Sequence, residues 1–162
     1  MNSGLKDKIV LVTGGAGGIG SVISKSFSRE GAKVIIHYNH SKENAQAIAK
    51  EIGSTAIHAD LTDSIQAENL FGRIINEEGK IDICIANAGK YPRDYAPIWE
   101  IENDRWNNTI SANLSLTYNT SRCFLKHAAE TKKGSLVLIG STAGIYGEAG
   151  HADYAAAKGA IT

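Results

Sequence analysis

The chain has 162 residues, 17 Lys plus Arg against 17 Asp plus Glu, and no formal net charge. That balance gives no basic surface of the kind a nucleic acid or an anionic membrane requires, and no stretch approaches the ~20 apolar residues of a membrane span. The size suits one domain with a real core, so residues 1–162 are taken as a single unit.

The N-terminal residues lack the apolar segment of a secretory signal and run directly into Lys8-Ile-Val-Leu-Val-Thr13, so a cytoplasmic protein is expected. This continuous apolar run reads as a strand buried on both faces of a parallel sheet. It empties into Gly14-Gly-Ala-Gly-Gly-Ile-Gly20. A helix follows, with Ile19, Val22, Ile23 and Phe27 as its apolar stripe and Gly31 as its stop. Ala32–His37 is a second strand, and Ser41 is placed to cap a helix that ends near Gly53. Thr55–Ala59 is a third strand, and Ile65, Leu70, Ile74 and Ile75 mark the next helix. Ile81–Ala86 is the fourth strand, and a loop from Lys90 to about Glu100 leads into one long helix, roughly Asp104–Thr131. After the fifth strand, Ser135–Ile139, the segment from His151 is helical to the end of the sequence. The sequence therefore looks cut within an element. Strands alternating with helices at short spacing predict βαβ units and a doubly wound, Rossmann-type parallel sheet in three α/β/α layers. Cys84 and Cys123 each stand alone in apolar patterns and read as buried free thiols. The five histidines show no zinc-ligand spacing, so no metal is expected.

Two stretches carry chemistry. The glycine-rich turn between a strand and a helix is what a dinucleotide pyrophosphate needs: close backbone approach, free N–H groups and partial positive charge. Gly15, Gly17 and Gly20 spell G-x-G-x-x-G, and Thr13, Gly14, Gly18 and Gly20 also spell Thr-Gly-x-x-x-Gly-x-Gly, with Ile19 between the last two glycines. An acidic residue after the second strand would mark NAD. His37, Tyr38 and Asn39 stand there instead, without a carboxylate and without a strong phosphate clamp, so NADP is favoured slightly over NAD. The second stretch is Tyr154-Ala-Ala-Ala-Lys158. On a helix both side chains share one face, and an ammonium beside a phenol favours the phenolate, making the pair a plausible general acid/base. Such a pair is more often a solvated surface feature. Ser141, thirteen residues before Tyr154, could hold a substrate oxygen against that phenol.

Thr13-Gly14-x-x-x-Gly18-x-Gly20, Asp60-Leu61, Asn87-Ala88-Gly89, Asn113 in Ser-Ala-Asn-Leu, Ser141 and Tyr154-x-x-x-Lys158 follow one another along nearly the whole chain. In that order and spacing the sequence resembles the short-chain dehydrogenase/reductases, which move a hydride between NAD(P) and a carbonyl or alcohol. The resemblance implies that Asp60 and Leu61 meet the adenine and that Asn87-Ala88-Gly89 lies along the adenosine. It makes Tyr154 the acid/base, Ser141 the holder of the carbonyl oxygen, Lys158 the ligand of the nicotinamide ribose and Asn113 the anchor of a relay water. Taken singly, Asp60 is a helix cap, Asn87 a turn former, Asn113 a solvated helix position and Ser141 a strand-end hydroxyl. The family continues with two more strands and a substrate lid that this sequence lacks, which would leave the fifth strand as an edge. Three readings follow: an oxidoreductase, a non-catalytic dinucleotide-binding module, or an inactive fragment of such an enzyme. Tyr91, Tyr95, Trp99, Tyr146, Glu148 and His151 suggest an aromatic-walled pocket for a small hydroxylated substrate, with a 3-oxoacyl thioester as the alternative. The resemblance also implies a homo-oligomer, usually a tetramer.

Overall fold

A computed structural model describes residues 3–162. Five parallel strands, β1 (Ile9–Val12), β2 (Lys33–Tyr38), β3 (Thr55–His58), β4 (Ile83–Ala86) and β5 (Ser135–Leu138), form one sheet in the order β3-β2-β1-β4-β5. The strand order reverses between β1 and β4, so a crevice opens beyond their C-terminal ends.

Alternate residues of the strands feed two cores. Ile9 and Leu11 point to the side covered by α3 (Ser64–Glu78) and α5 (Leu116–Thr131), where they meet Leu70, Phe71, Ile74 and Phe124. Val10 and Val12 point to the side covered by α1 (Gly18–Arg29) and α2 (Lys42–Glu51), where they meet Val34, Ile36 and Ile48. Both faces of β1 are thus apolar, which is why its sequence shows no alternation. Cys84 and Cys123 are free and buried, as expected.

Several local expectations need correction. In α1 the buried face is Gly20 and Ser24, with Ile23 and Phe27 partly covered, while Ile19 and Val22 are exposed. Small residues face the sheet because the first turn of α1 sits close to the glycine loop. In α3 the buried stripe is Ala67, Leu70, Phe71 and Ile74, and Ile65 lies off it. Ser41 occupies the N-cap of α2 but makes no side-chain cap bond, whereas Asp63 caps α3 by accepting from the Ile65 and Gln66 amides. The long helix after β4 is α4 (Asn103–Ile110) and α5 joined through a π-helical turn at Ser111–Ser115. Beyond β5, Thr142–Tyr146 forms α6, and α7 spans Ala152–Gly159, with residues 160–162 outside it. Among the described residues no helix is long and apolar enough to cross a membrane.

Candidate dinucleotide and proton-transfer site

The crevice is a cavity of about 940 Å3. Its first wall is the turn between β1 and α1. Gly14 has φ +61°, the left-handed region that favours glycine. A Cβ on Gly20 would be driven into the Gly14 carbonyl and would stand 2.7 Å from the Asn87 amide nitrogen. Helix α1 therefore approaches the turn as closely as only glycine permits. Its N-cap, Gly17, offers no side chain, so the first N–H groups of the helix remain open to a ligand at the positive end of its dipole.

Thr13 holds this turn from behind. Its buried hydroxyl donates to the Ile85 carbonyl (3.3 Å) and accepts from the Asn87 and Ala88 amides, both at 3.0 Å. Asn87 returns the contact, its Nδ2 donating to the Thr13 (2.9 Å) and Gly14 (3.2 Å) carbonyls. The ends of β1 and β4 are locked together at the switch point.

His37 supports the other side of the turn. Its Nδ1 accepts from the Gly14 amide at 3.1 Å and its Nε2 lies 2.9 Å from the Ala59 carbonyl, an arrangement that places the proton on Nε2. Burial pushes its pKa down to about 4; the Ala59 contact opposes this, His58 adds to it and Asp60 opposes it. His37 is thus a neutral structural imidazole. Its signal in the sequence was a lone polar residue inside Val-Ile-Ile-His-Tyr, at the end of the strand beside the glycine turn.

The opposite end of the cavity carries Asn113, Ser141, Tyr154 and Lys158. The π-helical turn brings Asn113 inward until it is fully buried. Its Nδ2 donates to the Lys90 and Thr109 carbonyls, both at 2.9 Å, and its Oδ1 accepts from the Lys90 amide at 3.2 Å. Tyr154 and Lys158 share one face of α7. The Lys158 Nζ donates to the Ile139 carbonyl at 2.8 Å and lies 5.9 Å from the Tyr154 ring centroid, and burial holds its pKa below the usual lysine range. Ser141 caps α6, its Oγ accepting from the Ala143 amide at 3.2 Å. Tyr91 meets the Tyr154 ring edge-on at 5.0 Å, stacks on His151 at 4.7 Å and donates to Glu148 at 2.7 Å.

Of the site residues expected from sequence, Gly14, Gly18, Ile19, Gly20, Tyr38, Asn39, Leu61, Asn87, Ala88, Gly89, Asn113, Ser141, Tyr154 and Lys158 all line this cavity. Thr13 and Asp60 do not, and of the expected aromatic and polar pocket wall Tyr91 alone lines it, with Tyr95, Trp99, Tyr146, Glu148 and His151 outside the lining. Thr13 acts through Asn87, and Asp60 turns its carboxylate to the Thr62 amide (2.9 Å) and hydroxyl (2.7 Å), which holds its pKa below the usual carboxylate range. Sequence reasoning did not foresee Thr62, Lys90, Arg93 or Ile139 in the lining. Nor did it foresee Asn119 on α5, which fastens the Leu61-Thr62 turn by donating to both carbonyls, at 3.0 and 3.3 Å. The lining includes Lys90, Arg93 and Lys158 and no Asp or Glu. A chain without net charge has gathered a positive field in its crevice, as an anionic ligand requires. Among the described residues no group of three or more His, Cys, Asp or Glu is arranged to hold a metal ion.

A parallel sheet with a glycine turn at its switch point, facing a tyrosine–lysine helix across one cavity, defines a Rossmann-like α/β protein. The family model described as short chain dehydrogenase matches residues 8–162, and the chain belongs to that family. It is 35% identical over 156 residues to the 3-oxoacyl-[acyl-carrier-protein] reductase FabG of Escherichia coli, covering 95% of this chain and 63% of the relative. It is 32% identical over 162 residues to FabG of Thermotoga maritima, covering 97% and 65%. With the NADP-dependent mannitol dehydrogenase of Alternaria alternata it shares 35% identity over 148 residues, covering 86% and 55%. The chain thus spans less than two thirds of the length of these relatives.

Proposed function

We propose that the chain carries the cofactor-binding and proton-transferring part of an NAD(P)-dependent oxidoreductase that interconverts a carbonyl and a secondary alcohol. The observation that carries this reading is the single cavity joining the glycine turn to Asn113, Ser141, Tyr154 and Lys158. The residues present fit a dinucleotide: open N–H groups at α1, a glycine contact that no side chain can enter, and a cationic lining. Gly14, Gly18, Ile19 and Gly20 hold the pyrophosphate. Leu61, beside Asp60, and the Asn87-Ala88-Gly89 turn flank the adenosine, and Lys158 holds the nicotinamide ribose. A nicotinamide held there would supply or receive the hydride. Ser141 and Tyr154 orient the carbonyl oxygen, and the Tyr154 hydroxyl gives up its proton as negative charge develops there. The Lys158 ammonium stabilises the phenolate so formed, and Asn113 anchors the return path of the proton.

NADP is the favoured cofactor. Tyr38, Asn39, His40 and Ser41 line the cavity after β2 without a carboxylate to repel a 2′-phosphate, and the Alternaria relative is named for NADP. The names of the relatives support two substrate classes, 3-oxoacyl thioesters and small polyols. The reading extends to a homo-oligomer through α5, where Tyr118 and Leu125, seven residues apart on one face, are exposed. Light scattering of the wild type and Leu125→Glu tests it: a monomer in both would remove this interface.

Fluorescence titration with NADPH and NADH tests the cofactor, with tighter binding of NADPH expected. With NADPH and a panel of both substrate classes, Tyr154→Phe is expected to lower the rate about 100-fold or more while leaving cofactor affinity within about twofold. An unchanged rate would remove Tyr154 from the proton-transfer role. Cofactor binding with no oxidation on any carbonyl would leave a non-catalytic binding module.

A further inference from the structure

Asp153 immediately precedes Tyr154 and is fully buried. Arg105 of α4 grips it with both arms of its guanidinium, Nε donating to Oδ2 at 3.0 Å and Nη2 to Oδ1 at 3.3 Å. The Thr109 hydroxyl, one helical turn further on, donates to Oδ2 at 2.9 Å. Arg105 also donates to the Asp94 (2.8 Å) and Gly150 (3.2 Å) carbonyls, so one side chain gathers α4, the loop after β4 and the entry to α7. From Thr109 the network continues, because its carbonyl accepts from Asn113, which in turn holds Lys90. Helix α7 has only eight residues and no side-chain cap at His151, and its own backbone does little to fix where Tyr154 stands. A buried ion pair is a poor way to gain stability compared with apolar packing. Its fixed, bidentate geometry is a good way to set a register.

We propose that Arg105, Asp153 and Thr109 form a part-buried pin that sets the position of Tyr154 on α7 against Asn113 in the π-helical turn. All three are positioning residues. The inference rests on the proposed roles of Tyr154 and Asn113, but its geometry is measurable without turnover.

The test is NMR on the full 162-residue chain, following the tyrosine Cζ resonance assigned by Tyr154→Phe and the exchange of the Asn113 side-chain amide. Three variants are compared with wild type: Arg105→Met/Asp153→Asn, the isosteric Thr109→Val, and Leu70→Ala as a remote destabilised control. The double variant removes both charges together and leaves no lone buried carboxylate. The expected result is a shifted Tyr154 resonance and at least about tenfold faster Asn113 exchange in the double variant. Thr109→Val should change both in the same direction by less, and Leu70→Ala should leave the Tyr154 resonance in place. If only thermal stability falls, with both signals as in the control, the three residues are structural and the proposal is overturned. If the double variant does not fold, Thr109→Val decides by the same two signals. Absence of cofactor binding or turnover in the wild type would overturn the functional reading while leaving these signals to judge the pin.

Discussion

Strands β1 and β5 flank the same neighbour, β4, and both are short apolar runs, yet their surroundings are opposite. All four residues of β1 are buried, whereas in β5 only Leu136 is partly covered and Val137 and Leu138 are 44% and 39% exposed. The cause is pairing and cover. β1 has a strand on each side and helices on both faces, while among the described residues β5 pairs only with β4. The two halves of the cavity inherit this difference. The glycine turn leans on β1 and is locked by Thr13, His37 and Asn87, which bond backbone groups at or just beyond the C-terminal ends of β1, β3 and β4. The tyrosine–lysine end leans on the β5 side and is located mainly by side chains, Arg105 with Asp153 and Lys158 with the Ile139 carbonyl. The glycine-turn end is therefore the sturdier half.

Truncation is the most severe way to probe this contrast. Leu11→Ala at the fully buried centre of β1 is expected to cost about 3–5 kcal/mol, and Val137→Ala less than about 1 kcal/mol. Urea unfolding of the two variants measures the ratio, and equal losses would mean that β5 is as well covered as β1.

Acid probes the same lock. His37 carries a pKa of about 4 in the fold and an ordinary one of 6.5 when unfolded, so below pH 6.5 the unfolded chain takes up a proton that the fold refuses. Its contribution is present above about pH 6.5 and is lost as pH falls towards 4, for a total on the order of 3 kcal/mol. Stability followed from pH 7 to 4 should fall more steeply in wild type than in His37→Asn. Parallel curves would show that His37 is not the titrating group.

At the turn itself, Gly20→Ala forces α1 away from Gly14. A stability loss of about 1–3 kcal/mol is expected, with at least about tenfold weaker NADPH binding. Titration calorimetry with undiminished affinity would show that the close approach is not used by the ligand.

The smallest effect falls on the edge. Val137→Lys should change unfolding stability by no more than about 0.5 kcal/mol and reduce concentration-dependent association, because a charge blunts an exposed apolar edge strand. Light scattering across a concentration series checks it. Unchanged association would place self-contact elsewhere.

What the residues declared in one dimension were features whose physics is local. Apolar runs foretold five strands, the first of them buried on both faces, and their alternation with helices foretold parallel, doubly wound topology. The glycine turn declared itself through Gly14 and Gly20, and Tyr154 and Lys158 share a face because helical spacing puts them there. Harder to read were features set by what lies far away in the chain. Ile19 and Val22 fit the apolar period of α1 yet stay exposed, because Gly20 and Ser24 face the sheet. The pattern from about Asp104 to Thr131 reads as one helix, whereas in the fold a π-helical turn packed against α7 buries Asn113, which bonds the Lys90 backbone. His37 stands where a carboxylate would have marked NAD, and only the fold shows its two ring nitrogens meeting Gly14 and Ala59. Asp153 was silent in sequence because its partner, Arg105, lies 48 residues earlier. Strand propensity, turn chemistry and helical spacing act over a few residues, so sequence alone determined the fold class and most of the cavity's lining. The tertiary structure alone decided which polar groups lost their water and where they found new partners, since desolvation depends on neighbours distant along the chain.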